Sequence, residues 1–154
     1  METKRSIIET WFRRLWAERD ESVIDELYKP DTDVGDGAYG LEQEKALSAE
    51  EFKMFYRKLG ALISNVNVTV DRHFDVGDTL IIECSLTFQN AKSDDDTIYT
   101  VKGCGVCKIK DGVLKSANNY WDFMTMFENL GLFPQNSFMN ALDGNAVTSV
   151  KTTN

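Results

Sequence analysis

Three polar side chains near the end of the last predicted strand have the chemistry to move a proton on a small molecule. Asn118, Tyr120 and Asp122 alternate along the sequence, in phase with Ser116. Residues two apart share one face of a strand, so we expect this set to lie together. If that face is concave, Asp122 sits in an apolar mouth and acts as a general base. Asn118 or Tyr120 would then donate a hydrogen bond to a developing enolate oxygen.

Asp122 also has a simpler structural explanation. It directly precedes a helix that we predict over 123–130. Aspartate is among the residues that best cap a helix N-terminus, because its carboxylate accepts N–H groups of the first turn. The capping role and the catalytic role are compatible, and the sequence leaves both open.

Other residues of catalytic type fit ordinary structural roles better. His73, the single histidine, and Glu83 lie in predicted strands where apolar residues alternate with them, so we expect both to point outward or into an interface. Cys104 and Cys107 have the spacing of a metal or redox pair, yet residues three apart in a strand lie on opposite faces. We interpret both cysteines as buried strand residues, and we interpret Asp94–Asp96 as a solvated hairpin tip.

The elements that position these residues follow from the hydrophobic periodicity. Apolar residues at helical spacing predict one helix over 4–18, a short helix capped by Ser22 and ended by Pro30, and a third that opens at Ser48 and runs to about Leu62. From residue 65 the period changes to two, which predicts strands over 65–74, 80–88, 97–110 and 113–121. Residues 30–40 read as a loop. The pair Asp111-Gly112 predicts a two-residue β-hairpin turn between the last two strands.

Helices first and strands afterwards indicate an α+β fold with the helices on one face of a curved sheet. Such a sheet leaves a cone-shaped space under the helices, where a pocket would form. We predict a single domain over 1–134 and a polar, flexible C-terminal tail over 135–154.

The composition narrows the classes of function. The chain has 154 residues, and 17 Lys and Arg against 25 Asp and Glu give a net charge of −8. That charge argues against nucleic-acid or membrane partners, which need clustered cations. The odd count of three Cys fits a reducing compartment. With no signal-peptide pattern at the N-terminus, we expect a cytoplasmic protein. A single His removes the usual parts of many metal and Ser-His sites.

Seven short segments, in this order and spacing, carry a resemblance to a known family. They are Trp11–Trp16, Ile24–Tyr28, Glu51–Tyr56, Val76–Asp78, Ile109–Gly112, Tyr120–Asp122 and Asn129–Pro134. Together they resemble the SnoaL-like branch of the nuclear transport factor 2-like (ketosteroid isomerase-like) superfamily. The resemblance implies an open conical barrel, with three N-terminal helices packed on a curved, mostly antiparallel sheet. It also implies an interior apolar pocket and a homodimer formed through the sheet.

The resemblance extends to a possible activity. In the polyketide cyclases of this family an Asp at the end of the last strand is the acid/base, and Asp122 matches it. The family often has a Trp and a His where this chain has Asn118 and Ala117. A cyclase or isomerase that needs no cofactor and acts on an apolar carbonyl compound is therefore one hypothesis. The alternatives are a non-catalytic ligand-binding protein and a dimeric interaction module. An epoxide hydrolase is less favoured, since no Asp-Arg-Asp arrangement is found.

In the enzyme hypothesis Asp122 is catalytic, while Asn118 and Tyr120 orient the substrate. Four aromatic residues are expected to contribute to the substrate pocket: Trp16, Phe55, Tyr56 and Phe123.

Overall fold

The computed structural model describes residues 2–31 and 47–147 of the chain. Most of the loop predicted over 30–40 lies outside the described residues. The described part has the predicted α+β architecture, in which helices cover one face of a curved, unclosed antiparallel sheet.

The N-terminal helices follow the predicted apolar stripes, with one change of geometry. α1 spans Lys4–Phe12, and the chain then continues as a wider π-helical turn over Arg13–Ala17. The sequence predicts an uninterrupted helix to residue 18. A π-helical turn keeps nearly the same side of the segment buried, so the apolar spacing does not reveal it. The buried residues of this segment are Ile7, Ile8, Trp11, Phe12, Leu15 and Trp16.

The next two helices begin differently, since only the second has an N-cap side chain that accepts an N–H of the first turn. α2 spans Ser22–Leu27, and the carboxylate of Asp20 accepts the Ser22 N–H at 3.1 Å. Ser22 is therefore the first helical residue and not the predicted N-cap. α3 spans Ala49–Gly60 and opens with the predicted capping box, in which Ser48 Oγ accepts the Glu51 N–H at 3.2 Å while Glu51 accepts the Ser48 N–H at 2.8 Å.

Four strands form a simple meander. They are β1 Ile63–Val76, β2 Thr79–Asn90, β3 Tyr99–Lys110 and β4 Val113–Trp121. The sheet order is β1-β2-β3-β4, with every neighbouring pair antiparallel. Asp111 and Gly112 both have positive φ, 54° and 75°, as the two-residue turn of an Asp-Gly hairpin requires.

One face of the sheet, the inner face, packs against α1 and α3. In β2 the even-numbered residues from Leu80 to Phe88 are buried there, while the odd-numbered residues between them are partly exposed on the outer face. Antiparallel sheets commonly bury one face in this way. The inner face and the helices form one continuous hydrophobic core.

Irregularities in the register of β1 and β4 move side chains between the faces. In β4 the pairing steps from Ile109↔Leu114 to Lys108↔Ser116, so β4 holds one residue more than β3 at this point. β1 has a similar shift between Val70 and Arg72. A β-bulge of this kind reverses the alternation beyond it.

The C-terminal segment contains more structure than the sequence analysis expects. α4 spans Phe123–Asn129, and a further helix, α5, spans Ser137–Leu142. α5 lies within the stretch that the sequence predicts to be a polar, flexible tail. Its apolar residues Phe138, Met139 and Leu142 have helical spacing but are exposed, and the helix is only six residues long. No helix in the described ranges is long and apolar enough to cross a membrane.

Arg14 ties the π-helical turn to α2. Its guanidinium donates to Asp20 at 2.6 and 2.8 Å and to Glu26 at 2.9 Å. Hydrogen bonds from Ser22 and Arg14 lower the pKa of Asp20, and those from Arg14 lower the pKa of Glu26. The loop after the first helix is therefore held by a charged clamp whose strength depends on pH.

We predict that this clamp fails as the carboxylates are protonated. Because the pKa values of Asp20 and Glu26 are lowered in the folded state, their stabilisation is present above the ordinary carboxyl range and is lost as the pH falls through the lowered values. Urea unfolding should show that Arg14→Met destabilises the protein at about pH 6 and has a smaller effect near pH 2.5. Arg5→Met, which removes the exposed pair with Glu9, is the control. An equal cost of Arg14→Met at both pH values would contradict the prediction.

Candidate functional site

An interior pocket lies between the inner face of the sheet and the helices. Its lining residues in the described part of the chain are Trp11, Phe12, Trp16, Phe55, Leu59, Leu86, Asn119, Trp121, Phe123 and Met126. Asn119 is the single amide in this set, and none of these side chains ionises near neutral pH, since all the others are aromatic or aliphatic. The wall therefore suits an uncharged, largely apolar guest.

The pocket is narrow. About 400 Å³ of space lies in and around the pocket, part of it open to solvent, but water centres can occupy only about 20 Å³ of it. That is room for about one water molecule. The aromatic side chains themselves fill most of the cone, so a larger guest would have to displace some of them.

The helical side of the wall contains several residues that the sequence analysis names. Trp16 and Phe55 line the pocket. Tyr56 is buried behind Trp16, with ring centres 5.0 Å apart, and its hydroxyl donates to the Leu15 carbonyl at 2.9 Å. Tyr56 therefore fastens α3 to the π-helical turn and is not among the lining residues. Phe123, the first residue of α4, also lines the pocket.

The strand side of the wall is formed by the opposite set of residues from the one expected. Asn119 and Trp121 face the pocket, whereas Tyr120 is 58% exposed. Neither Asn118 nor Tyr120 lines the pocket, which corrects the conditional expectation that their face is concave. Leu114 is buried in the core, and unbroken alternation from it would bring even-numbered residues inward. The bulge beside Leu114 reverses this phase.

Asp122 is an exposed helix cap in this structure. Its carboxylate accepts the Thr125 N–H at 3.0 Å, and its own N–H donates to the Lys102 carbonyl at 3.1 Å. The capping interpretation is therefore confirmed. The carboxylate is not part of the pocket wall, although its neighbours in sequence, Trp121 and Phe123, both are.

A wide groove of about 690 Å³ crosses the outer face of the sheet. Asp71, at the bulge of β1, accepts hydrogen bonds from Ser85 at 2.6 Å and from Lys102 at 3.1 Å. These two hydrogen bonds lower the pKa of Asp71, and the one from Ser85 has the larger effect. Beside them Arg72 and Glu83 form a two-point ion pair at 2.6 and 2.9 Å. The charges of Asp71, Lys102, Arg72 and Glu83 are matched in pairs, while Asp122, which also lines the groove, caps α4.

The cysteines and the histidine take no part in the pocket. Burial raises the pKa of both Cys84 and Cys107 to about 12, so these thiols stay protonated. Cys104 lies on the outer face and is partly exposed, which corrects its interpretation as a buried residue. His73 is exposed. Within the described ranges no cluster of three or more His, Cys, Asp or Glu side chains could hold a metal ion.

The fold and the pocket agree with a family assignment from the sequence. The model of the SnoaL-like domain matches residues 8–117. The chain belongs to this family, as the resemblance of its short segments implies. No protein with a curated function matches the chain.

Solved structures confirm the fold. A proposed polyketide cyclase from Acidithiobacillus ferrooxidans is 16% identical, with a TM-score of 0.69 over 85% of this chain and 98% of that one. A protein with a ketosteroid isomerase-like fold from Catenulispora acidiphila, bound to trimethylamine, is 18% identical, with a TM-score of 0.64 over 84% and 95%. An M. tuberculosis epoxide hydrolase is 15% identical, with a TM-score of 0.57 over 90% and 94%. One fold thus serves different chemistries.

The capping role of Asp122 leads to a prediction about stability. Asp122→Ala removes the acceptor for the Thr125 N–H, and we expect it to lower the free energy of unfolding by about 1 kcal/mol. Asp122→Asn keeps a good capping side chain and should lose only a small part of that. Urea unfolding of both variants measures the difference. If Asp122→Ala is as stable as wild type, the cap contributes nothing.

Proposed function

We propose that this protein binds an uncharged, largely apolar small molecule in its interior pocket. The observation that carries the proposal is the composition of the wall, in which aromatic and aliphatic side chains surround one amide, that of Asn119. Ligand pockets typically combine an apolar lining with a few polar groups that orient the guest. An amide can donate to a carbonyl or accept from a hydroxyl. A ring-shaped guest with one such group matches this wall.

Entry of such a guest requires the wall to move. The pocket as it stands holds about one water. Phe123 and Met126 belong to α4, a helix of only seven residues at the end of the sheet. Met is adaptable in shape, and Phe can turn about two bonds. We propose that these two side chains yield to the guest while the wall formed by α1 and the sheet stays in place.

Acid–base catalysis at Asp122, as in a cyclase or isomerase, is the second hypothesis. The observation in its favour is that Asp122 stands between Trp121 and Phe123, two residues of the wall. Turnover would require its carboxylate to leave the Thr125 N–H and to reach the guest. Because the carboxylate is exposed and engaged in capping, we favour the binding hypothesis over the catalytic one. Asp122→Asn separates the two hypotheses, since it abolishes turnover only if Asp122 is the base.

We predict that Asn119 orients the guest. The test uses N-phenyl-1-naphthylamine, an uncharged probe whose fluorescence rises in apolar surroundings, displaced by naphthalene or by 2-naphthol. Wild type should prefer 2-naphthol. Asn119→Leu should lower the affinity for 2-naphthol by roughly three- to tenfold, which corresponds to the loss of one hydrogen bond. The affinity for naphthalene should change little.

Asn118→Leu is the matched control, because Asn118 is the adjacent amide outside the pocket wall. It should leave both affinities unchanged. Absence of probe binding to wild type would overturn the binding proposal itself. Equal effects of the two substitutions would leave binding intact but remove Asn119 from the site.

We also propose that two copies of the chain associate through the outer face of the sheet. The register places Phe74, Ile81 and Val106 side by side across β1, β2 and β3 on that face. Phe74 is 52% exposed, and Val76 near it is 65% exposed. An exposed apolar strip rimmed by charged pairs is typical of a protein interface.

A charge in the middle of this strip should separate the two copies. Phe74→Arg is expected to give a monomer, because the cation would be buried unpaired in a dimer. Met54→Arg is the control, since Met54 is equally exposed but lies on α3, on the other side of the sheet. Sedimentation equilibrium measures the mass of wild type and both variants. A monomeric wild type would contradict the proposal.

We place this function in the cytoplasm. All three cysteines are free thiols, as a reducing compartment would keep them.

A further inference from the structure

Two glycines of β3 lie opposite the two β4 residues of the pocket wall. Gly103 pairs with Trp121 and Gly105 pairs with Asn119 across the β3–β4 ladder. A Cβ atom at Gly103 would come within 2.2 Å of Trp121 Cε3 and 2.5 Å of its Cδ2. At Gly105 the corresponding closest atom is Asn119 Oδ1 at 2.9 Å. The side chains of the wall therefore lie across the backbone of β3, in space that only glycine leaves free.

We infer that Gly103 determines which ligands the pocket accepts, by positioning Trp121. The inference rests on the proposed binding function and adds the residue that sets the width of the site. With no side chain at position 103, the indole of Trp121 lies back against β3. We call the remaining space between this indole and the aromatic residues of α1 and α3 the slot.

The direction of the effect follows from strand geometry. Trp121 lines the inner pocket, and Gly103 is its cross-strand partner, so a Cβ at Gly103 would project from the inner face toward the helices. Ordinary van der Waals contacts are 3.4–4 Å, so the indole would have to move by more than about 1 Å away from β3. It would move into a pocket with room for about one water. Substitution of Gly103 should therefore close the slot.

The glycine is not explained by the needs of the strand. Glycine in the interior of a strand weakens it and often marks a close approach of another group. No positive φ is recorded at Gly103, unlike the turn glycines Gly77 and Gly112. Its backbone is therefore open to any residue, and the contact with Trp121 is what excludes a side chain there.

The test combines Gly103→Ala with a variant that removes the indole. Binding of N-phenyl-1-naphthylamine is measured for wild type, Gly103→Ala, Trp121→Val and the double variant. Gly103→Ala alone should weaken the probe by at least about tenfold. In the Trp121→Val background the same substitution should leave the affinity unchanged, because no ring lies over β3. The near-ultraviolet circular dichroism of Trp121 should change in Gly103→Ala without any ligand.

The outcomes separate the two proposals. If wild type and Gly103→Ala bind the probe equally well, Gly103 does not determine access. If wild type binds no probe, the proposed function fails, while the dichroism and the melting temperatures still test the placement of the indole. Should Gly103→Ala fail to fold, Trp121→Val must restore folding in the double variant. A double variant that stays unfolded would overturn the inference.

Discussion

The structure depends on the burial of one face of a four-stranded sheet by helices that are too bulky to follow its curvature. The inner face of β2 and the stripe of α1 are apolar along their whole length, so both must be covered. A twisted sheet and straight helices cannot stay in contact everywhere. Burial is nearly complete at Ile8 and Leu80, whereas Trp121 at the end of β4 is only partly buried. The pocket is the place where this packing opens, and its wall is made of core residues for that reason.

The bulge in β4 decides which residues reach the pocket. One extra residue beside Leu114 reverses the alternation, which brings Asn119 and Trp121 inward and leaves Tyr120 on the outer face. The chemistry of the wall is changed by this single step, since an indole takes the place of a phenol. Two glycines on the neighbouring strand receive the inward side chains. The bulge in β4 thus turns Asn119 and Trp121 inward, and the glycines of β3 leave the space that these side chains occupy.

The sequence predicts what local patterns encode. The helical stripes, the capping box at Ser48 and the Asp-Gly turn are short-range signals, and the structure contains all three. The phase of β4 at Asn119 is not such a signal, because a bulge is a property of two paired strands. α5 escaped prediction because it spans only six residues within a polar stretch, too few for a helical period to be recognised. Gly103 and Gly105 were visible in the sequence, yet their meaning depends on the residues that pair with them.

The two faces of the sheet are chemically separate, as the two proposed partners require. On the inner face the pocket wall lacks ionising side chains among the described residues. Binding of a guest there therefore removes water from no charged group of the protein. On the outer face Asp71 and Lys102, like Arg72 and Glu83, neutralise each other in pairs. Paired charges around an apolar strip can be covered by a second copy without leaving an unmatched ion. A charge introduced on the inner face would have no such partner. Asp122 is the charged residue nearest in sequence to the inner wall, between Trp121 and Phe123. Its carboxylate is exposed and accepts the Thr125 N–H of α4, so the charge is solvated outside the pocket.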